Sequence, residues 1–309
     1  MATPQVKPTS AFVLPSGRTL GYAIYGSSED PSAPAVFYHH GFPGSQGEAF
    51  GFDAAARTQH IRLISVERPG MGASTFQPGR ALLDWPADLL ALADFLDIKR
   101  FAVLGISGGG PYALASWHRL PRSRCVGAAL VCALYPTSIG CSGMLLQTRT
   151  LLTLCPWVPT LCGWVLDAML GGVARDWEHP EKLELALVDV LKNKPARDRA
   201  MLEREDIRAA LVSGTRGAML SGGLGPAWDG LVLGGDFGFK LEDVKIEEPG
   251  KVVMWHGELD HNVPAHMAKK AVALMPGAEL RLSPEHAHID LPYTKADEVM
   301  QSLKQMLTA

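Results

Sequence analysis

Ser107 stands in Gly105-Ile106-Ser107-Gly108-Gly109. A serine hydroxyl is nearly inert at neutral pH unless a base takes its proton and an acid orients that base. A nucleophilic serine must also be held out on a tight, strained turn. Such a turn leaves no room for side chains two residues to either side, where this sequence has glycine. The apolar run at 101–104 reads as a strand, and the following run with Gly110, Ala113 and Ala115 reads as a helix. The first N–H groups of that helix would point at the serine and could stabilise a developing oxyanion.

An acid and a base should follow in the order serine, carboxylate, histidine. His256-Gly257-Glu258-Leu259-Asp260 follows an apolar strand-like run at 251–255. Asp260 is the expected acid, with Glu258 as the alternative. The base belongs on the loop after the last strand, which reads Glu285-His286-Ala287-His288-Ile289-Asp290. His288, with a small residue before it and an apolar one after, is the expected base, with His286 as the alternative. A second oxyanion donor is expected from His40-Gly41-Phe42-Pro43-Gly44, so the N–H groups of Phe42 and Gly108 form the expected pair. His39 and His40 invite a metal reading, but no Cys or carboxylate lies at ligand spacing around them. A structural role for His40, bonding neighbouring loops, is expected instead, with no metal and no cofactor.

These loops must be carried by strands. Short apolar runs at 19–25, 35–39, 62–67, 101–106, 126–132, 251–255 and 278–282 read as strands. Helical patterns at 84–96, 109–118, 265–274 and 294–307 fall between or after them. The alternation predicts an α/β fold with a mostly parallel central sheet and helices on both faces. Residues 134–250 break the pattern. They are apolar and aromatic at 145–170 and amphipathic at 181–191 and 197–211, and seven glycines at 222–238 suggest an irregular loop. The expected organisation is a core of 1–133 and 251–309 with a helical lid at 134–250.

At 309 residues, with 47% hydrophobic and 20% charged residues, the chain is ordinary globular material, which excludes disorder. A net charge of −3 without a basic block argues against a nucleic-acid partner. Five cysteines without a C-x-x-C pair suggest a reduced, cytoplasmic protein. Residues 1–10 are polar and lack the apolar stretch of a secretory signal. The uncharged run at 150–166 contains two prolines and falls short of a membrane span. It is expected to be a buried or surface-docking helix, leaving peripheral membrane contact open.

Several motifs occur together and in order: His40-Gly41-Phe42-Pro43-Gly44-Ser45, Glu67-Arg68-Pro69-Gly70-Met71-Gly72-Ala73-Ser74, Gly105-Ile106-Ser107-Gly108-Gly109-Gly110-Pro111, and His256-Gly257-Glu258-Leu259-Asp260 with Val263-Pro264. On these the chain resembles the α/β-hydrolase superfamily across nearly its whole length except the insertion. The resemblance implies the same roles: Ser107 as nucleophile, Asp260 as acid and His288 as base. It departs at Glu67, where the family usually has Asp, and at Ala287, where a Gly usually precedes the histidine. Serine at the nucleophile position argues against epoxide hydrolases and haloalkane dehalogenases of this fold, which carry Asp there.

The expected reaction is acyl transfer through an acyl-enzyme on Ser107, with an ester of a small apolar molecule as substrate. Amidase, peptidase and carbon–carbon hydrolase chemistry use the same constellation, and a triad-bearing receptor or non-hydrolytic catalyst is the alternative from another class. Trp157 and Trp164, in the apolar part of the insertion, are the expected substrate-binding residues, although they could simply pack lid on core. The oligomeric state is left open.

Overall fold

The structure is a computed structural model, and it describes residues 6–308. Part of the polar stretch at 1–10, read as lacking a secretory signal, therefore lies outside the described residues. The strands are β1 (Ser10–Val13), β2 (Thr19–Gly26), β3 (Ala35–His39), β4 (Arg62–Val66), β5 (Phe101–Ile106), β6 (Cys125–Val131), β7 (Val252–Gly257) and β8 (Glu279–Ser283). They form one sheet in the order β1-β2-β4-β3-β5-β6-β7-β8. β2 runs antiparallel to both neighbours, and all other pairs are parallel. β3 to β7 are buried along their whole length, as expected of parallel strands covered on both faces.

Helices α1 (Asp53–Thr58), α2 (Trp85–Phe95), α3 (Gly110–Arg119), α11 (Ala265–Leu274), α12 (Asp290–Thr294) and α13 (Ala296–Thr308) belong to this sheet unit. Leu89 and Leu92 of α2, Leu114 of α3 and Met267 of α11 pack with Phe37, Val103 and Met254 in one core layer. Ala56 of α1 and Val299 and Leu303 of α13 pack with Val36, Leu104 and Val253 in the other. The register sets His39 beside Gly105, Ile106 beside Val131, and Val131 beside Trp255. The carboxyl ends of the parallel strands thus finish along one edge, where ligands bind in open α/β sheets. The expected strands are found with small shifts at their ends. β1 and α1 were not visible as patterns, being short.

Between β6 and β7, the described residues contain no strand. They form α4 (Leu146–Leu154), α5 (Pro159–Leu166), α6 (Gly172–Arg175), α7 (Glu181–Leu191), α8 (Ala196–Ala200), α9 (Glu205–Met219) and α10 (Leu224–Gly234). The expected helix at 197–211 is divided between α8 and α9. The irregular loop expected at 222–238 is a correction, because most of it is α10, a largely buried helix. Its glycines serve close approach, not disorder. A Cβ on Gly225 would lie 2.0 Å from the Gly70 carbonyl oxygen, and one on Gly234 would lie 1.9 Å from that of Leu152. Ala227 of α10 joins Cys155, Cys162, Leu166, Leu183 and Met219 in a small core of its own. No helix among the described residues is long and apolar enough to cross a membrane.

Candidate active site

Ser107 sits directly after β5 with φ +51°, the left-handed region that a side-chain-bearing residue rarely adopts. The flanking glycines permit the turn: a Cβ on Gly109 would lie 2.0 Å from the His39 carbonyl oxygen, and one on Gly105 would lie 2.6 Å from that of Gly109. The turn leads straight into α3.

Three side chains from three strand ends meet here. Ser107 Oγ lies 2.9 Å from His288 Nε2, and His288 Nδ1 lies 2.7 Å from Asp260 Oδ2. The other carboxylate oxygen of Asp260 accepts the N–H groups of Asn262 and Val263, each at 2.8 Å. His256 Nε2 is 3.4 Å from Asp260 Oδ2. Burial alone would push the Asp260 carboxyl up, but His288 and His256 outweigh it and hold it well below the usual carboxylate range.

The two alternatives lie elsewhere. Glu258 is exposed and pairs with Lys269 at 2.8 Å. His286 Nδ1 is 2.6 Å from Ser283 Oγ, and the His286 carbonyl oxygen accepts the Leu259 N–H.

Cys132 follows β6 with φ +45°, and its thiol donates to the Ala287 carbonyl oxygen at 3.7 Å. Its sulfur, an Asp260 oxygen and a His288 nitrogen lie within 4.8 Å of one another, a spacing a metal could use. The donor chemistry fits poorly. Burial pushes the Cys132 thiol well up, whereas a metal needs the thiolate, and the Asp260 oxygens are already engaged.

The loop after β3 lies against the serine turn. A Cβ on Gly108 would meet Phe42 Cβ at 2.7 Å and Phe42 N at 3.4 Å, so the two expected oxyanion residues are in contact. Two buried groups hold this loop, one of which, Glu48, sequence reasoning missed. Glu48 accepts the Gly41 N–H at 2.9 and 3.0 Å and the Tyr38 hydroxyl at 2.7 Å. Burial raises its carboxyl, against the pull of those donors. From the other side, the fully buried Arg68 donates to the carbonyl oxygens of His40 and Gly41.

Arg68 is neutralised by Asp229 of α10, with bonds at 2.7, 3.1 and 3.1 Å. Asp229 also takes Arg80 at 3.1 Å and the Tyr112 hydroxyl at 2.6 Å. Burial raises the Asp229 carboxyl, but Arg68 and Arg80 bring it below its ordinary value. Arg68 was visible in its motif. Nothing local marked Glu48 or Asp229. The His40 ring lies between Gly41 O (3.0 Å) and the Arg68 N–H (3.4 Å), the structural place expected of it. Burial keeps it neutral, and lowers His39 to about 3.

Trp157 and Trp164 are not brought to Ser107 in this way. They are 83% and 72% exposed. Trp157 borders an open cavity of about 780 Å³ with Ile139, Leu152, Phe237 and Leu241, and none of Ser107, Asp260 and His288 lines it.

A sequence model described as the alpha/beta hydrolase family matches residues 36–301. The chain belongs to the alpha/beta hydrolase family. That membership makes it a hydrolase. It is 24% identical over 288 residues to the bifunctional esterase/perhydrolase of Acinetobacter calcoaceticus, covering 88% of this chain and 90% of that one. Among solved structures, the enol-lactonase of Burkholderia xenovorans LB400 superposes with a TM-score of 0.65 at 20% identity, covering 97% of this chain and 100% of the other. The esterase EaEST of Exiguobacterium antarcticum gives 0.64 at 15% identity, covering 97% and 99%. At these identities the structural likeness speaks for the fold alone.

Proposed function

We propose that this hydrolase cleaves a carboxylic ester or related acyl bond of a small molecule through an acyl-enzyme on Ser107. The observation that carries the reading is the Ser107–His288–Asp260 chain, at 2.9 and 2.7 Å, starting from a serine held at φ +51°. Asp260 accepts a hydrogen bond from the Nδ1–H of His288, which fixes the tautomer and leaves Nε2 free to accept the Ser107 proton. Ser107 Oγ attacks the acyl carbonyl, and the N–H groups of Phe42 and Gly108 receive the oxyanion. His288 returns its proton to the leaving alcohol, and water, activated by the same ring, then releases the acid and restores Ser107. An N–H donor at such a site contributes about 10²–10³ in rate.

The relative named as an esterase/perhydrolase supports an ester over an amide or a carbon–carbon bond. We assign residues 134–250 as a lid over the strand ends, because α10 reaches the oxyanion loop through Asp229. The test is a phosphonate probe together with a panel of p-nitrophenyl esters of rising chain length. Wild type should label at Ser107 and turn over esters, and Ser107→Ala should do neither. Turnover surviving in Ser107→Ala, or a wild type that neither labels nor hydrolyses any ester, would overturn the reading.

A further inference from the structure

Helix α8 and the residues just before it reach both loops that carry the proposed acid and base. Asp198, 1% exposed, comes from that helix and lies 91 residues from its partner in sequence. Its Oδ1 accepts the Ile289 N–H at 2.7 Å and the Asp290 N–H at 3.1 Å, the two residues directly after His288. Asp290 in turn accepts the Ala287 N–H, the residue directly before His288. The backbone on the two sides of the imidazole is therefore held by two buried carboxylates, Asp198 after His288 and Asp290 before it. Four residues earlier, Lys194 Nζ donates to the Asn262 side-chain oxygen, and the Asn262 N–H bonds Asp260 at 2.8 Å.

We propose that Asp198 is a positioning residue for His288, and that Lys194 plays the same part for the Asp260 loop, so the helical segment aligns the reacting groups and does not merely cover them. The inference rests on the serine-hydrolase reading above.

A lone buried carboxylate is costly, so one kept here must be compensated. Burial pushes the Asp198 carboxyl up, while His288 and the two N–H groups pull the other way. The anion also stands near the ring that must gain a proton as Ser107 attacks.

The test uses the full chain, p-nitrophenyl acetate turnover and the rate of fluorophosphonate labelling at Ser107. In Asp198→Ala, kcat and the labelling rate constant should both fall about 10²-fold, the cost of a small misplacement at a catalytic centre. KM should change little. Asp198→Asn keeps an acceptor without the charge and should recover part of the loss, ending about tenfold below wild type. Lys194→Met should fall about tenfold as well. A merely structural role would reduce the fraction of protein that labels, while the folded fraction labelled at the wild-type rate.

Wild-type labelling rates in Asp198→Ala and Asp198→Asn would overturn the proposal. If Asp198→Ala does not fold, the rate in Asp198→Asn decides. Turnover by Ser107→Ala would bring down the serine-hydrolase reading, and this inference with it, by a separate result.

Discussion

The side of the site built on the strand ends holds Ser107, His288 and Asp260, whereas the side built by residues 134–250 supplies two buried carboxylates, Asp198 and Asp229. Each carboxylate ends on a different loop. Asp229 holds the loop after β3 through the Arg68 guanidinium, and Asp198 holds the backbone after His288 directly. The outer face of the same segment differs again. Leu146, Trp157, Leu161, Trp164 and Met169 are all more than half exposed. Composition thus misleads about this segment. Its apolar residues look like the working part, but charged residues on its inner face hold the loops of the proposed site.

The difference can be broken at several points. The largest effect is expected on the strand side. Ser107→Ala or His288→Ala should lower kcat on the order of 10⁶-fold, as in other triads that act as a unit. His286→Ala should stay close to wild type, because its ring turns to Ser283. An ester assay on the three variants checks this, and loss in His286→Ala alone would reverse the choice of base.

Next comes Asp229→Ala, which strands two arginines that are almost fully buried. Removing one partner of a buried ion pair costs about 3–5 kcal/mol, which urea unfolding would read as a lower midpoint. A variant as stable as wild type would show that the helical segment contributes little to holding the oxyanion loop.

A smaller, pH-dependent effect is expected at Glu67, a buried carboxylate that accepts the Ala73 N–H at 2.7 Å. Burial raises its carboxyl from 4.5 to about 7. The folded chain therefore holds a proton there that the unfolded chain has lost, and stability falls as pH rises through that window. Glu67→Gln exchanges no such proton. Its stability relative to wild type should rise between about pH 4.5 and 7 and be flat on either side, as thermal melts across pH would report.

The smallest effects belong to the outer face. Trp157→Ala and Trp164→Ala should each change stability by no more than about 0.5 kcal/mol and leave turnover of a short ester unaltered. A tenfold loss in either would bring the outer face into the site and dissolve the contrast.

Much of this was legible in the chain itself, for local reasons. Strands buried on both faces must be continuous apolar runs, so β3 to β7 stand out in one dimension. The serine turn forces glycine at fixed offsets from Ser107, and that requirement is also local. His288 is favoured over His286 by its neighbours in sequence, but spacing leaves both available, and the contacts that separate them, Ser283 to one ring and Asp260 to the other, belong to the fold.

The glycines of α10 were misread because a helix packed against two backbones and a loop share a composition. Asp198 and Asp229 gave no sign at all. Their partners lie 91 and 161 residues away, in stretches whose own pattern is ordinary. The sequence by itself therefore determined the sheet, the nucleophile turn and the family. Tertiary structure alone decided which face of the helical segment is turned inward and which carboxylates hold the loops. Local rules follow from the backbone of a few residues, whereas a buried charge is placed by whatever distant partner compensates it.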